Sequence, residues 1–96
     1  MVNFIWDEKN NLANLEKHGV DFNDAVRAWY APDRLDFFNY GHSMNETRCI
    51  FLGAMTGVVL FVVETEQSEN TIRIISARKA SKNEQELYYA YREKNH

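Results

Sequence analysis

The sequence predicts one α+β domain spanning residues 1–96, with an antiparallel β-meander between two N-terminal helices and one C-terminal helix. Two observations lead to this prediction. At Arg34 the hydrophobic pattern changes from helical spacing to short runs rich in β-branched and aromatic residues. The chain is also long enough for a single modest core but not for two. These features predict one sheet packed against helices.

The first strand is predicted at residues 2–6, where strand-favouring side chains precede Asp7. Asp7 is a good N-cap, so a helix is expected to follow it. That helix is expected to end at Gly19, a typical C-cap residue. Two leucines at helical spacing, Leu12 and Leu15, supply its apolar positions.

A second, short helix is predicted after Asp21, which again suits an N-cap. Its apolar side chains recur on one helical face until Pro32, which cannot continue a helix. The members of this face are Phe22, Ala25, Val26 and Trp29. We interpret this helix as a packing element.

Four strands are predicted at residues 34–38, 47–52, 58–65 and 71–77, separated by short turn-prone segments. Short connections favour an antiparallel meander. Residues 58–63 are apolar on both faces, which predicts a central strand with helices covering one side. Ser81 and Glu84 then match a capping box for a terminal helix whose apolar stripe is Leu87, Tyr88 and Tyr91.

The composition is that of an ordinary globular domain, with 45% hydrophobic and 26% charged residues. The longest apolar run is too short to cross a bilayer, and the start of the chain lacks a secretory pattern. Cys49 is the only cysteine, which predicts a reducing, cytoplasmic compartment. The histidines show no metal-ligand spacing, so we expect neither a metal nor a cofactor.

A basic run is the most informative feature for function. Residues 71–82 contain four cations and no carboxylate, within a chain of net charge −3. A local concentration of guanidinium groups is what phosphate recognition requires. The alternative for Arg73 is an ion pair with Glu64 or Glu66 on the neighbouring strand. The four cations are Arg73, Arg78, Lys79 and Lys82.

The sequence also resembles a known family almost from end to end. The residues that carry this resemblance are Trp6-Asp7, Asn14, Lys17-His18-Gly19-Val20, Phe22, Pro32, His42-Ser43, Glu46, Arg48, Gly53, Arg73-Ile74-Ile75-Ser76-Ala77-Arg78-Lys79-Ala80, Glu84 and Tyr88. In this order and at this spacing they are similar to the BrnT toxins. The family usually has lysine four residues after the tryptophan, whereas this chain has Asn10 there and Lys9 one place earlier.

The resemblance implies a RelE-like fold and a ribonuclease toxin of a type II toxin-antitoxin system. It further implies that RNA is the substrate and that cleavage inhibits translation. A BrnA-type antitoxin that carries a DNA-binding module would silence the toxin. We therefore expect contact with DNA only through the antitoxin complex, and no contact with membranes.

Cleaving RNA without a metal requires a base for the 2′-hydroxyl, cations for the growing phosphate charge and an acid for the departing 5′-oxygen. Arg73 and Arg78 suit the electrostatic role because a guanidinium can contact two phosphate oxygens. His18 is the candidate for proton transfer, with Lys17 beside it. Both residues also suit the last turn of a helix, where positive charge is favoured by the dipole.

Further RNA-binding candidates are Lys79, Lys82, Tyr88, His42 and Lys9. Tyr88 can stack on an unpaired base, but its helical spacing also suits a core position. His42 is expected in a loop. A second class of function stays open, namely a non-catalytic module that joins its antitoxin as a co-repressor, which the asparagine at position 10 favours.

Overall fold

The computed structural model describes residues 1–43 and 46–95, excluding the side chains of residues 38–47. The described chain forms three helices and five strands. The helices are α1 (Glu8–His18), α2 (Phe22–Trp29) and α3 (Lys82–Lys94). The strands are β1 (Asn3–Ile5), β2 (Leu35–Ser43), β3 (Glu46–Met55), β4 (Val58–Ser68) and β5 (Thr71–Lys79). No helix in this described part is long and apolar enough to cross a bilayer.

The predicted helix starts are confirmed by their capping contacts. Asp7 and Asp21 each accept a hydrogen bond from the backbone N–H two residues later, at 2.9 and 2.8 Å. Ser81 Oγ accepts from the N–H of Glu84, whose carboxylate accepts from the N–H of Ser81, which completes the capping box. Gly19 ends α1 in the left-handed conformation that glycine adopts readily, with φ of 71°.

The sheet has the order β1-β5-β4-β3-β2 and is mixed, whereas the sequence predicted only an antiparallel meander over residues 34–77. Strands β2 to β5 pair antiparallel with their sequence neighbours, but β1 lies parallel to β5. The intervening helices and strands supply the long crossover that a parallel pair needs. β4 is the middle strand, as its apolar sequence predicts.

Helices cover both faces of the sheet, rather than one face as expected. On the first face, which we call the α2 face, Phe22, Ala25 and Ala28 of α2 pack in one core with Phe51 and Val62 of the sheet. On the opposite face, the α3 face, Tyr88 packs with Leu52, Val59 and Ala80. α3 covers one end of its face and leaves the other end accessible.

Helix α1 lies along the edge of β5, and its buried side chains are polar. Leu12 and Leu15, expected to be its buried stripe, are exposed, whereas Asn11 and Asn14 are buried. The Asn14 side chain donates to the carbonyl of Ala77 at 2.8 Å and accepts from its N–H at 3.1 Å. β1 pairs only with residues 71–73, so the rest of this strand edge needs other hydrogen-bond partners.

Gly53 marks the closest approach of α2 to the sheet. A Cβ atom at this position would overlap the carbonyl oxygen of Ala28. Because that oxygen belongs to the helix backbone, a larger residue would push α2 away from β3. The close approach of α2 therefore favours glycine at this position.

Candidate active site

Two arginines flank a threonine on the accessible end of the α3 face. Arg48 on β3 lies opposite Thr65 on β4, which lies opposite Arg73 on β5. Directly opposed residues point to the same side of a sheet, so the three side chains form one row. Thr65 is buried between the two arginines, at 1% exposure. The row concentrates positive charge on one part of an acidic protein.

A β-bulge at Ile75 sets which residues of β5 share this face. Val63 pairs with Ser76 and the next residue, Glu64, pairs with Ile74, so Ile75 is the extra residue. Because of the bulge, Arg73 and Arg78 point to the same face although they are an odd number of positions apart. The same register places Glu64 and Glu66 opposite Ile74 and Ile72 on the α2 face, away from Arg73.

The row of arginines borders a groove between α1 and β5. Two adjoining cavities of about 140 and 220 Å³ share Asn10 and Ile75 in their walls, and we call them together the α1–β5 groove. The first cavity is lined in addition by Asp7, Arg48, Arg73 and Ile74. The second is lined in addition by Ala13, Asn14, Lys17, His18 and Ser76.

Three predicted catalytic residues therefore line the two adjoining cavities of this groove. Lys17 and His18 come from the last turn of α1, and Arg73 comes from β5. His18 is half-buried, and Gly19 directly after it turns the chain away, which leaves the imidazole at the groove wall. Lys17 and His18 thus line one cavity of the groove, and Arg48 and Arg73 line the adjoining one.

Arg78, the fourth predicted catalytic residue, is held elsewhere by a carboxylate that the sequence run did not contain. Its guanidinium donates to both oxygens of Glu84, at 2.8 and 2.9 Å, and lies 3.9 Å from the Phe61 ring centre. The hydrogen bonds from Arg78 are the main reason that the pKa of Glu84 lies below its usual range. Arg78 therefore links β5 to α3.

Distance also separates Arg78 from the groove. Its partner on β4 is Phe61, and the partner of Arg73 is Thr65. Four strand residues span roughly 13 Å at about 3.3 Å per residue, and the Arg78 guanidinium is engaged with the Glu84 carboxylate. The pairing with Glu84 favours a structural role for Arg78, and a joint contact of Arg73 and Arg78 with the scissile phosphate stays a prediction.

The remaining basic candidates lie outside the groove walls formed by the described residues. Lys79 and Lys82 are exposed near the junction of β5 and α3. Lys9 is exposed in the first turn of α1, whereas its neighbour Asn10 lines the groove. Successive helix residues point about 100° apart, so Lys9 does not occupy the position of Asn10.

Tyr88 and His42, two further RNA-binding candidates, both lie in regular secondary structure. Tyr88 is 1% exposed, so its core interpretation is confirmed and its ring is closed to a stacking RNA base. Burial raises the pKa of the Tyr88 hydroxyl. His42 lies within β2 rather than in a loop, and its side chain falls outside the described residues.

Comparison with known proteins identifies the family. A family model for the ribonuclease toxin BrnT of type II toxin-antitoxin systems matches residues 6–84. The chain belongs to the BrnT toxin family. The 1.1 Å crystal structure of the Brucella abortus ribonuclease toxin BrnT is similar, with a TM-score of 0.68 and 25% sequence identity. The match covers 85% of this chain and 100% of that chain. No curated protein matches significantly.

Two groove residues of this BrnT chain were not among the predicted site residues. Arg48 was noted only for its family resemblance, and its place opposite Thr65 depends on strand register, which the sequence does not reveal. Asn10 stands where the BrnT family usually has lysine, and it lies where the two cavities meet. The family position, combined with the helix start at Asp7, could have signalled Asn10.

Proposed function

We propose that this BrnT chain is a metal-independent endoribonuclease toxin with a RelE-like fold, which cleaves cytoplasmic RNA in the α1–β5 groove and thereby inhibits translation. The observation that carries the proposal is the row of Arg48, Thr65 and Arg73 at the groove. A phosphodiester is the substrate group that suits two guanidinium forks on one wall.

Arg48 supports phosphate binding through its unmet hydrogen-bonding capacity. Its Nε is buried, and no described residue accepts a hydrogen bond from it. A phosphate bound against the part of the Arg48 guanidinium that lines the groove would gain a charge-assisted hydrogen bond. In the transition state the same contacts would stabilise the charge that grows on the phosphorane oxygens.

His18 and Lys17 are proposed to serve proton transfer. An imidazole in the groove wall can take the proton of the attacking 2′-hydroxyl or give one to the departing 5′-oxygen. Lys17 adds positive charge next to it, which favours an incoming phosphate. Among the described residues, no group of three histidine, cysteine or acidic side chains is placed to hold a metal.

The proposed partner is a BrnA-type antitoxin. A basic groove on an otherwise acidic chain suits a partner that covers the groove and buries apolar surface, such as the exposed Leu12 and Leu15 of α1. Antitoxin segments of this kind often become ordered on binding. Contact with operator DNA would then come from the antitoxin.

Cleavage of single-stranded RNA by purified, antitoxin-free protein tests the catalytic proposal. Arg73→Ala and Arg48→Ala each remove a phosphate contact worth roughly 1.5–3 kcal/mol, so each should slow cleavage tenfold to hundredfold. His18→Ala should slow it about a hundredfold and flatten the pH profile near neutrality. EDTA should leave the rate unchanged.

The matched control is Arg27→Ala, because Arg27 is an exposed helix arginine paired with Asp24 outside the groove. Circular dichroism should show every variant folded. Cleavage at the wild-type rate by all three folded groove variants would refute the active-site assignment.

The second candidate function is a non-catalytic partner of the antitoxin. It is favoured by Asn10, which removes the usual family lysine from the middle of the groove. Expression without the antitoxin separates the two candidates. Arrest of translation supports the ribonuclease, and unchanged growth with a stable antitoxin complex supports the co-repressor.

A further inference from the structure

A second cavity lies on the α2 face, on the side of the sheet opposite the arginine row. Its volume is about 210 Å³, several times the roughly 30 Å³ share of one water molecule. It therefore has room for a group of several heavy atoms. The polar part of its wall consists of Arg34, Asp36, Cys49, Glu64 and Glu66, and the aromatic part is Trp29.

Glu64 is the deepest charged group in this wall. Its side chain comes from the central strand between Cys49 on β3 and Ile74 on β5, and the residue is only 7% exposed. The Oε2 atom is buried, and no described residue donates a hydrogen bond to it. A buried carboxylate oxygen without a donor is costly, because nothing replaces its lost hydration.

Arg34, the cation in the wall of this cavity, already contacts other groups. Arg34 Nε lies 2.8 Å from an oxygen of Asp36, and its Nη1 donates to the carbonyl of Trp29 at 2.7 Å. Its guanidinium also stacks 4.2 Å from the centre of the Trp29 ring. Arg34 thus pairs directly with Asp36 and attracts Glu64 from a longer distance, and no described residue forms an ion pair with Glu64 or Glu66.

We propose that this cavity binds a guanidinium or ammonium group, which pairs with the Glu64 carboxylate and balances the acidic wall. The ligand must carry a positive charge and N–H donors and be small enough for the cavity. Two kinds of molecule can supply such a group: a small free amine or guanidine, and a bound protein through an arginine or lysine side chain.

This site is separate from the proposed ribonuclease groove. Glu64 and Thr65 are neighbours on β4 and point to opposite faces of the sheet. A cation on the α2 face does not contact the RNA groove, so RNA cleavage and cation binding can each fail without the other.

Titration of ¹⁵N-labelled protein with methylguanidinium chloride tests the inference, with sodium chloride holding the ionic strength constant. The indole N–H signal of Trp29 should shift and saturate, while that of Trp6, outside the described cavity wall, should stay in place. The experiment should be run at pH 8, because burial raises the pKa of Glu64 to about 7 and the site needs the charged carboxylate.

A blocked Gly-Arg-Gly peptide distinguishes the two sources. If the peptide binds as well as methylguanidinium, the site accepts a protein side chain. If only methylguanidinium binds, the site takes a free small cation. Either result supports a cation site, and the absence of saturable shifts with both probes overturns it.

Glu64→Gln keeps the shape of the side chain and removes its charge, so it should weaken binding at least tenfold. Glu66→Gln changes an exposed part of the wall and should weaken binding several-fold, which provides a second variant if the first does not fold. Glu69→Gln changes an exposed carboxylate outside the described wall and should bind like wild type. Equal affinity in Glu64→Gln and Glu69→Gln would overturn the proposal.

Discussion

At the residue scale, Asn10 is the most consequential difference between this chain and the usual BrnT sequence. It lines both cavities of the α1–β5 groove, so a lysine there would reach toward a bound phosphate. We predict that Asn10→Lys raises RNA cleavage about tenfold, because it adds a charge-assisted contact of roughly 1.5 kcal/mol or more. The rate of cleavage by antitoxin-free protein is the measurement.

The control for added charge is Asn83→Lys, which introduces the same side chain in the exposed first turn of α3. It should leave cleavage close to the wild-type rate. If both variants accelerate cleavage equally, the gain comes from general attraction of RNA rather than from the groove.

Glu64 gives a prediction about pH. Its pKa rises from 4.5 to about 7 in the folded protein, mainly because burial penalises the charged form. Between these values the folded state binds more protons than the unfolded chain, so this residue lowers stability as pH rises through the window, by roughly 3 kcal/mol in total. Asp36 and Glu66 raise the pKa further, and Arg34 opposes them.

Glu64→Gln should therefore be more stable than wild type at pH 8 and about equally stable at pH 4.5. Urea unfolding at both pH values measures the difference. Glu69→Gln serves as the exposed control and should follow the wild-type pH dependence. A constant difference between Glu64→Gln and wild type across this range would contradict the assignment.

At the scale of elements, Arg78 attaches α3 to the sheet. Arg78→Ala removes the paired hydrogen bonds to Glu84 and the contact with the Phe61 ring. We predict a loss of about 1–2 kcal/mol in unfolding free energy, since the pair is partly exposed. RNA cleavage by the folded variant should fall less than tenfold, in contrast to Arg73→Ala.

A double-mutant cycle of Arg78→Ala with Glu84→Ala checks this role. The two losses of stability should be smaller in combination than their sum, because both variants break the same contact. A loss of cleavage that matches Arg73→Ala, without a change in stability, would return Arg78 to the active site.

The elements whose signals are local could be predicted from the sequence. The caps Asp7, Asp21 and Ser81 begin helices as expected, and the apolar run 58–63 lies in the central strand. Features that depend on distant pairing could not be predicted. The parallel contact of β1 with β5 and the bulge at Ile75 arise from register, which a single sequence does not encode visibly.

In the candidate site, too, residue types could be predicted from the sequence, but contacts between distant elements could not. Arg73, His18 and Lys17 are predicted from residue type and line the two adjoining cavities of the groove. The pairing of Arg78 was missed because its acid, Glu84, comes from the following helix. In α1 the leucines were expected inside, but a strand edge needs hydrogen bonds, so amide side chains are buried there instead.

At the scale of the whole molecule, the charge distribution predicts a tight antitoxin complex. Co-expression with the cognate antitoxin should yield a complex that purifies together and binds operator DNA, whereas RNA cleavage is suppressed. Hydrogen exchange should slow at α1 and at the β5 edge, because the antitoxin covers the groove. A toxin that elutes alone at 11.3 kDa from cells expressing both genes would contradict this prediction.

The contact between Asn14 and Ala77 has a consequence for solubility. The short β1 leaves part of the β5 edge unpaired by strands, and such edges recruit further strands from other molecules. By occupying the N–H and carbonyl of Ala77, one carboxamide takes the place of a sixth strand at this point. α1 therefore protects this strand edge from pairing with other molecules, and it also forms a wall of the groove.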